Sequence, residues 1–428
     1  FGSPFAVNGT RPNSNYFTID GAYNMDPVRG TNLQSMPPEA IQTFQMINGN
    51  YPAQVGRFGG SFVDQISRTG STGFHGTLMY TWAGNSLDAL STDEKRQFNA
   101  LTATGLSDGQ AYRIARSVVV DNRIVASGGF PIWKDKIFSF SSFDRDWFNA
   151  TANPSTIAIT PEGFAELQAI EGNLAPGALD LLASRFPLAN IGTNLGVINV
   201  PIAVPAPPPP GGEPGDGEVV ITDPPVPLAT FNRGVLGGIR YDRDYDRFLQ
   251  RLQFKISSSN SLNLRYLYDS LEDPGFPSAI PGQEIARNFK NHSGQLNDVH
   301  IFSPSVINEF RFGITRLADR FDSFLGLGLN IGGFNSVGNP NFPQNRKDTS
   351  YQFADIVSWM MGSHSFKIGG DAVHYRMRAI FPFNSFGTLT YASLQDFLTN
   401  SNAIFTQYTG DNFIRSNATE LGVFVHDD

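Results

Sequence analysis

Cysteine is absent from all 428 residues, which excludes disulfide frameworks, thiolate metal sites and cysteine nucleophiles. Charge is scarce: Asp, Glu, Lys and Arg make up 16% of the chain, with a net charge of −8. No basic stripe relieves that acidity, so nucleic acid is excluded as a partner. Apolar runs are short. None approaches the roughly 18–20 residues of a membrane-spanning helix, and pieces such as "FLGLGL" (324–329) are broken by glycine. A membrane β-barrel is not excluded, because its signal is only about ten alternating residues per strand. Catalytic patterns are missing as well. The six histidines (75, 292, 300, 364, 374, 426) show no metal-ligand spacing, and no Walker A or GxSxG pattern occurs. "GLGLNIGG" (326–333) imitates a dinucleotide loop but carries Ile331 in the third glycine place. No catalytic, cofactor or metal residue is predicted, and the chain is not expected to be an enzyme.

What is present is phenylalanine, 36 of them, arranged with period two. Segments such as "RFLQRLQFKIS" (247–257) separate two faces: Leu252, Phe254 and Ile256 against Arg251, Gln253 and Lys255. Likewise Leu262, Leu264, Tyr266 and Tyr268 oppose Asn263, Arg265 and Asp269, and Phe310, Phe312 and Ile314 oppose Glu309, Arg311 and Thr315. Short turns at 133–136, 257–261, 303–306 and 362–365 alternate with long links at about 84–112, 149–243, 271–291 and 318–347. A ~25 Å apolar band crossed at a ~40° tilt takes roughly 10 residues per strand. The expected fold is therefore mainly β, an antiparallel transmembrane β-barrel wall of about ten strands with one loop-rich end. A large soluble all-β protein fits the same alternation. If the barrel holds, a charge at outward Phe254 or Phe312 disrupts assembly, whereas Gln253 and Arg311 tolerate one.

Within 149–243, "TPEGFAELQAI" predicts a helix capped by Thr160 with Pro161 at its first position. Ten prolines crowd 201–227, which reads as extended, mobile chain without a core. "RYDRDYDR" (240–247) reads as a solvated loop base whose acids and arginines neutralise one another. Residues 1–72 have a different character, with short strands at "NYFTIDG" (15–21) and "IQTFQMING" (41–49).

Several motifs carry a resemblance. "NGTRPNSNYFTIDG" (8–21) ends in Asp20–Gly21, and "MINGNYPAQVGRFGGSFVDQISRTG" (46–70) places Gly49, Gly56, Gly59 and Gly60 before a strand containing Val63 and Ile66. "FHGTL" and "NSLDA" follow within 74–89, then "GGFPIWKDKIFSF" (128–140) and the terminal "FVHDD". Together these resemble the TonB-dependent outer-membrane receptors, in particular the Oar-like branch.

The resemblance implies an N-terminal plug fragment at 1–72 and the first part of a transmembrane β-barrel at 73–428, about ten of an expected twenty-two strands. A long Pro-rich extracellular loop inserts at about 149–243. Asp20, Gly21, Gly49, Gly56, Gly59 and Gly60 would be structural plug-motif residues, with ligand-contact residues unassigned. It further implies a Gram-negative outer membrane and TonB-coupled uptake of a large, unidentified extracellular ligand. Partners would be outer-membrane lipid and a TonB-type protein engaging a segment outside this chain, whose two ends look like cuts. An outer-membrane adhesion or assembly protein of the same architecture is the alternative.

Overall fold

A computed structural model describes residues 5–208, 210–211, 219–235, 238–323 and 326–427. Of the short strands that come first, four make one sheet: β1 (Tyr16–Ile19), β2 (Ala22–Tyr23), β3 (Ile41–Ile47) and β4 (Phe62–Ser67), joined in the order β2-β1-β4-β3. β1 runs parallel to β4, with Tyr16 opposite Phe62 and Ile19 opposite Gln65. Asp20 and Gly21 make the β1–β2 turn with φ of +52° and +71°. A two-residue hairpin needs that pair of positive φ values, and Asp-Gly supplies it.

Ten long strands follow in one antiparallel sheet: β5 (His75–Gly84), β6 (Val119–Trp133), β7 (Ile137–Ala152), β8 (Ile239–Lys255), β9 (Asn260–Asp273), β10 (Ala286–Ser303), β11 (Val306–Asp322), β12 (Gln344–Met361), β13 (His364–Ile380) and β14 (Phe413–Asp427). Each pairs with its chain neighbour, and β5 and β14 form the two edges. Tight turns at 134–136, 256–259, 304–305 and 362–363 lie at one end, and every longer connection lies at the other. The strands outrun the sequence reading by several residues at the loop end. "RYDRDYDR" is accordingly not a loop base but the start of β8, because its Tyr241 and Tyr245 alternate with Asp242, Asp244 and Asp246.

Period-two alternation sorts the wall into two faces. Leu249, Leu267 and Phe140 are fully buried against Ile19, Met36 and Ala40 of the N-terminal body. A second apolar contact joins Tyr16, Tyr23 and Met25 to Val373 and Tyr375. The small sheet thus lies on the wall's concave face. On the opposite face, Tyr80, Phe143, Tyr266, Ile314, Phe353 and Leu421 are exposed. Phe312 packs beside Phe353 with the rings tilted and their centroids 4.9 Å apart.

The long connections hold the largest apolar core of the molecule. In 85–118, α1 (Thr92–Ala103) and α2 (Asp108–Ala115) pack on Ile191. In 153–238, α3 (Pro161–Ala169) and α4 (Ala178–Arg185) lie with a three-stranded sheet of Ser155–Ile159, Pro225–Asn232 and Ile191–Asn199. The Thr160 hydroxyl accepts from the Gly163 amide at 3.1 Å, as its capping position requires. Leu167, Leu182, Ile202 and Val226 bury themselves with Ile280, Ile331 and Leu398 from three other connections, the last on α5 (Leu394–Thr399).

The expectation of a coreless Pro-rich chain is corrected for the described part. Apolar residues interleave with the prolines and reach that core, and Ile202–Pro205 pairs with Val219–Thr222. Pro225 and Pro227 lie beyond the last residue paired with Ser155–Ile159, so their missing N–H groups break no ladder there. Much of "PAPPPPGGEPGDGE" lies outside the described residues. No helix among the described residues is long and apolar enough to cross a membrane.

Candidate functional site: the seam between inner body and wall

Where the inner sheet meets the wall, the contacts are mostly ionic. The Asp20 carboxylate caps β4 by accepting from the Ser67 amide and hydroxyl, both at 2.8 Å. Arg251 donates to it at 3.2 Å, and the Arg265 guanidinium lies 3.7 Å away. Gln295 donates to the Asp20 carbonyl at 2.8 Å. Next to it, Arg311 donates to the Gly21 carbonyl at 3.0 Å, and a Cβ on Gly21 would meet that guanidinium at 2.6 Å. The expectation that Arg311 tolerates replacement is therefore corrected: it holds the hairpin turn. Asp64 in β4 closes the hairpin from the other side, accepting from Thr18 at 2.7 Å and from the Gly21 amide at 3.1 Å.

Three further pairings were not foreseen. Asp26 is fully buried and takes a two-point bond from Arg346 of β12. Burial opposes its ionisation, yet Arg346 and the Arg29 and Val28 amides hold its carboxyl below the ordinary 3.8. Glu39 accepts from Arg123 of β6 at 2.7 Å, and Arg123 in turn grips Asp144 of β7. Arg57 has a left-handed φ of +72° and donates to Asp371 of β13, with Glu420 of β14 at 3.2 Å. Burial pushes the neighbouring Tyr16 phenol up to about 12, with Arg57 opposing that rise. Each wall partner sits on an inward position of its strand. Nothing in a single sequence says which inward arginine finds which acid.

The remaining motif glycines divide. A Cβ on Gly60 would sit 2.5 Å from the Asn15 side chain and 2.9 Å from the Ser14 carbonyl, so the loop requires glycine there. Gly49, Gly56 and Gly59 have open space around them. Between the 50–57 loop and β11–β14 lies a cavity of about 500 Å³, lined by Gln45, Arg57, Asp64, Glu309, Arg311 and Asp371 among others. No cluster of metal-ligating side chains occurs among the described residues.

A curved antiparallel wall with an apolar outer face, a polar inner face and a small domain seated inside defines a plugged membrane β-barrel. The chain belongs to the outer membrane beta barrel domain family, whose model matches residues 66–428. It resides in the Gram-negative outer membrane. It is 26% identical over 160 residues to the TonB-dependent transporter Oar of Myxococcus xanthus, an alignment covering 37% of this chain and 14% of that protein. The outer membrane transporter YddB from Escherichia coli superposes with a TM-score of 0.59 at 12% identity, over 99% of this chain and 47% of that one. A point mutant of the ferric enterobactin receptor PfeA from Pseudomonas aeruginosa gives 0.51 at 10%, over 99% and 48%. The chain thus spans about half the length of these two solved barrels, and the relatives are transporters and receptors rather than enzymes.

Proposed function

We propose that this chain forms the plug and the first part of the barrel of a TonB-dependent outer-membrane transporter that takes up a large ligand. Residues 1–72 act as the C-terminal part of the plug and 73–428 as wall. A TonB-type protein supplies the energy through a segment outside this chain. One observation supports the reading above others. The plug is seated by discrete arginine–carboxylate contacts around two small apolar patches, an arrangement that can be broken and remade without exposing a large dry core. Asp20, Gly21 and Gly60 fix the plug's shape; Gly49, Gly56 and Gly59 lie in the loop beside the 500 Å³ cavity. The test is ligand uptake by the full-length protein in hosts with and without the coupling protein. Loss of uptake, with binding kept, is the expected result. Uptake independent of coupling discards active transport.

The folded extracellular cap favours a second reading, an adhesion or assembly protein of the same architecture. Its ribbon exposes Val219, Val220 and Ile221. Surface attachment unchanged by loss of coupling, but abolished by removal of 153–238, would support that alternative.

A further inference from the structure

The outward face of β10–β14 carries an unbalanced set of cations at its loop end. Lys290, Ala318, Lys347, Arg378 and Arg415 lie side by side in one cross-strand register. The adjacent register holds His292, Arg316, Thr349 and Arg376, and Arg320 stands one step beyond. All the lysines and arginines named are exposed, while their neighbours Leu317, Asp319, Arg346, Asp348 and Ala379 are buried on the inner side.

Of this set, only Arg320 has a carboxylate partner among the described residues, Asp322. Lys347, Arg378 and Arg415 stand directly opposite one another on three successive strands, where like charges destabilise a sheet. The same face of β7–β9 is different: Arg145 lies between Asp244 and Asp246, and Arg240 pairs with Asp242.

Height on the wall identifies the counter-ion. Trp359 and Phe366 face outward near the turn end, 5.7 Å apart. From Trp359 to Thr349 along β12, ten residues at ~3.4 Å and a ~40° tilt rise ~26 Å, matching the ~25 Å apolar band of outer-membrane barrels. On β12, Lys347 lies just beyond the point where that band ends. Below the basic registers lie those of Ile314 and Tyr351, then of Leu296, Phe312, Phe353 and Leu421. At that depth, guanidinium and ammonium groups meet lipid headgroups, and arginine prefers phosphate in two-point geometry.

We propose that the rim of β10–β14 is a binding site for the phosphate groups of an anionic outer-leaflet lipid, anchored by Lys347, Arg378 and Arg415. This rests on the outer-membrane placement alone and not on transport.

The test uses the full-length protein, delipidated in zwitterionic detergent and titrated with bisphosphorylated lipid A, its dephosphorylated form, or inorganic phosphate. Binding is read by native mass spectrometry and thermal shift. The wild type should bind the bisphosphorylated lipid in a salt-sensitive manner and ignore the other two. K347Q/R378Q/R415Q should lose about tenfold or more in affinity, a loss of about 1.4 kcal/mol. R145Q should lose none. Without lipid, R378Q should melt no lower than wild type, because repulsion is relieved; with lipid it should melt lower. Equal binding of the dephosphorylated form, saturation by free phosphate, or unchanged affinity in the triple variant would overturn the proposal. The wild-type lipid comparison decides even where the triple variant fails to assemble.

Discussion

The two places where non-wall segments are held in position use opposite chemistry. At the plug, Asp20, Asp26, Glu39 and Arg57 each meet one or two charged wall residues in separate small contacts. At the cap, four connections pool leucine, isoleucine, valine and phenylalanine into one dry cluster of uncharged side chains. Dry packing gains free energy in proportion to area and gives way only as a unit. The partly exposed pairs of the seam, such as Arg57 with Asp371, can exchange partners with water, whereas the buried Asp26–Arg346 pair is the costly one to part. On the proposed transporter reading, the cap serves as a fixed platform and the plug as a removable insert.

Variants should separate the two regions by size of effect. Asp26→Ala leaves the buried Arg346 with Asp348, at 3.3 Å, as its remaining carboxylate, so the loss should fall near the low end of the about 3–5 kcal/mol that breaking a buried pair costs. The plug should become protease-sensitive in folded full-length protein while the cap stays intact. Leu182→Ala opens a cavity in the cap at about 2–5 kcal/mol; hydrogen exchange in 161–186 should rise without change at the plug. In the wall, Phe312→Arg faces lipid and should cost about 2–4 kcal/mol in assembly, whereas Gln253→Lys should be tolerated. Thr160→Ala removes one cap and should cost only about 1 kcal/mol, confined to α3.

Acid should sharpen the contrast. The Asp26 carboxyl is held below 3.8 in the folded protein, so its ion pair contributes fully above that value. The contribution is lost as pH falls through the depressed one. Acidification into that range should loosen the plug and leave the cap's apolar core unchanged, a difference that limited proteolysis across pH would detect.

Much of the wall was legible because period-two alternation and short turns are local signals. Leu252, Phe254 and Ile256 against Arg251 and Gln253 give the faces without any neighbour. Asp20–Gly21 was not legible as a turn: the sequence reading places it in the strand 15–21 and only the resemblance singles it out, whereas the strand ends at Ile19. The cap was not, because its core joins Leu167 to Ile331 and Leu398 across long sequence separations. Proline content also masked the apolar residues between. Nor were the pairings Asp26–Arg346 and Glu39–Arg123 legible: Arg346 and Arg123 lie outside the segments that read as strands, and alternation alone would not say which acid an inward arginine meets.

Hydrogen–deuterium exchange on the full-length protein in lipid nanodiscs tests the central claim directly. Amides in α3 and α4 should stay protected, while those of 41–57 should open far more readily, and faster still in Asp26→Ala. Uniform protection of plug and cap, or a cap that exchanges first, would contradict the division between fixed platform and removable insert.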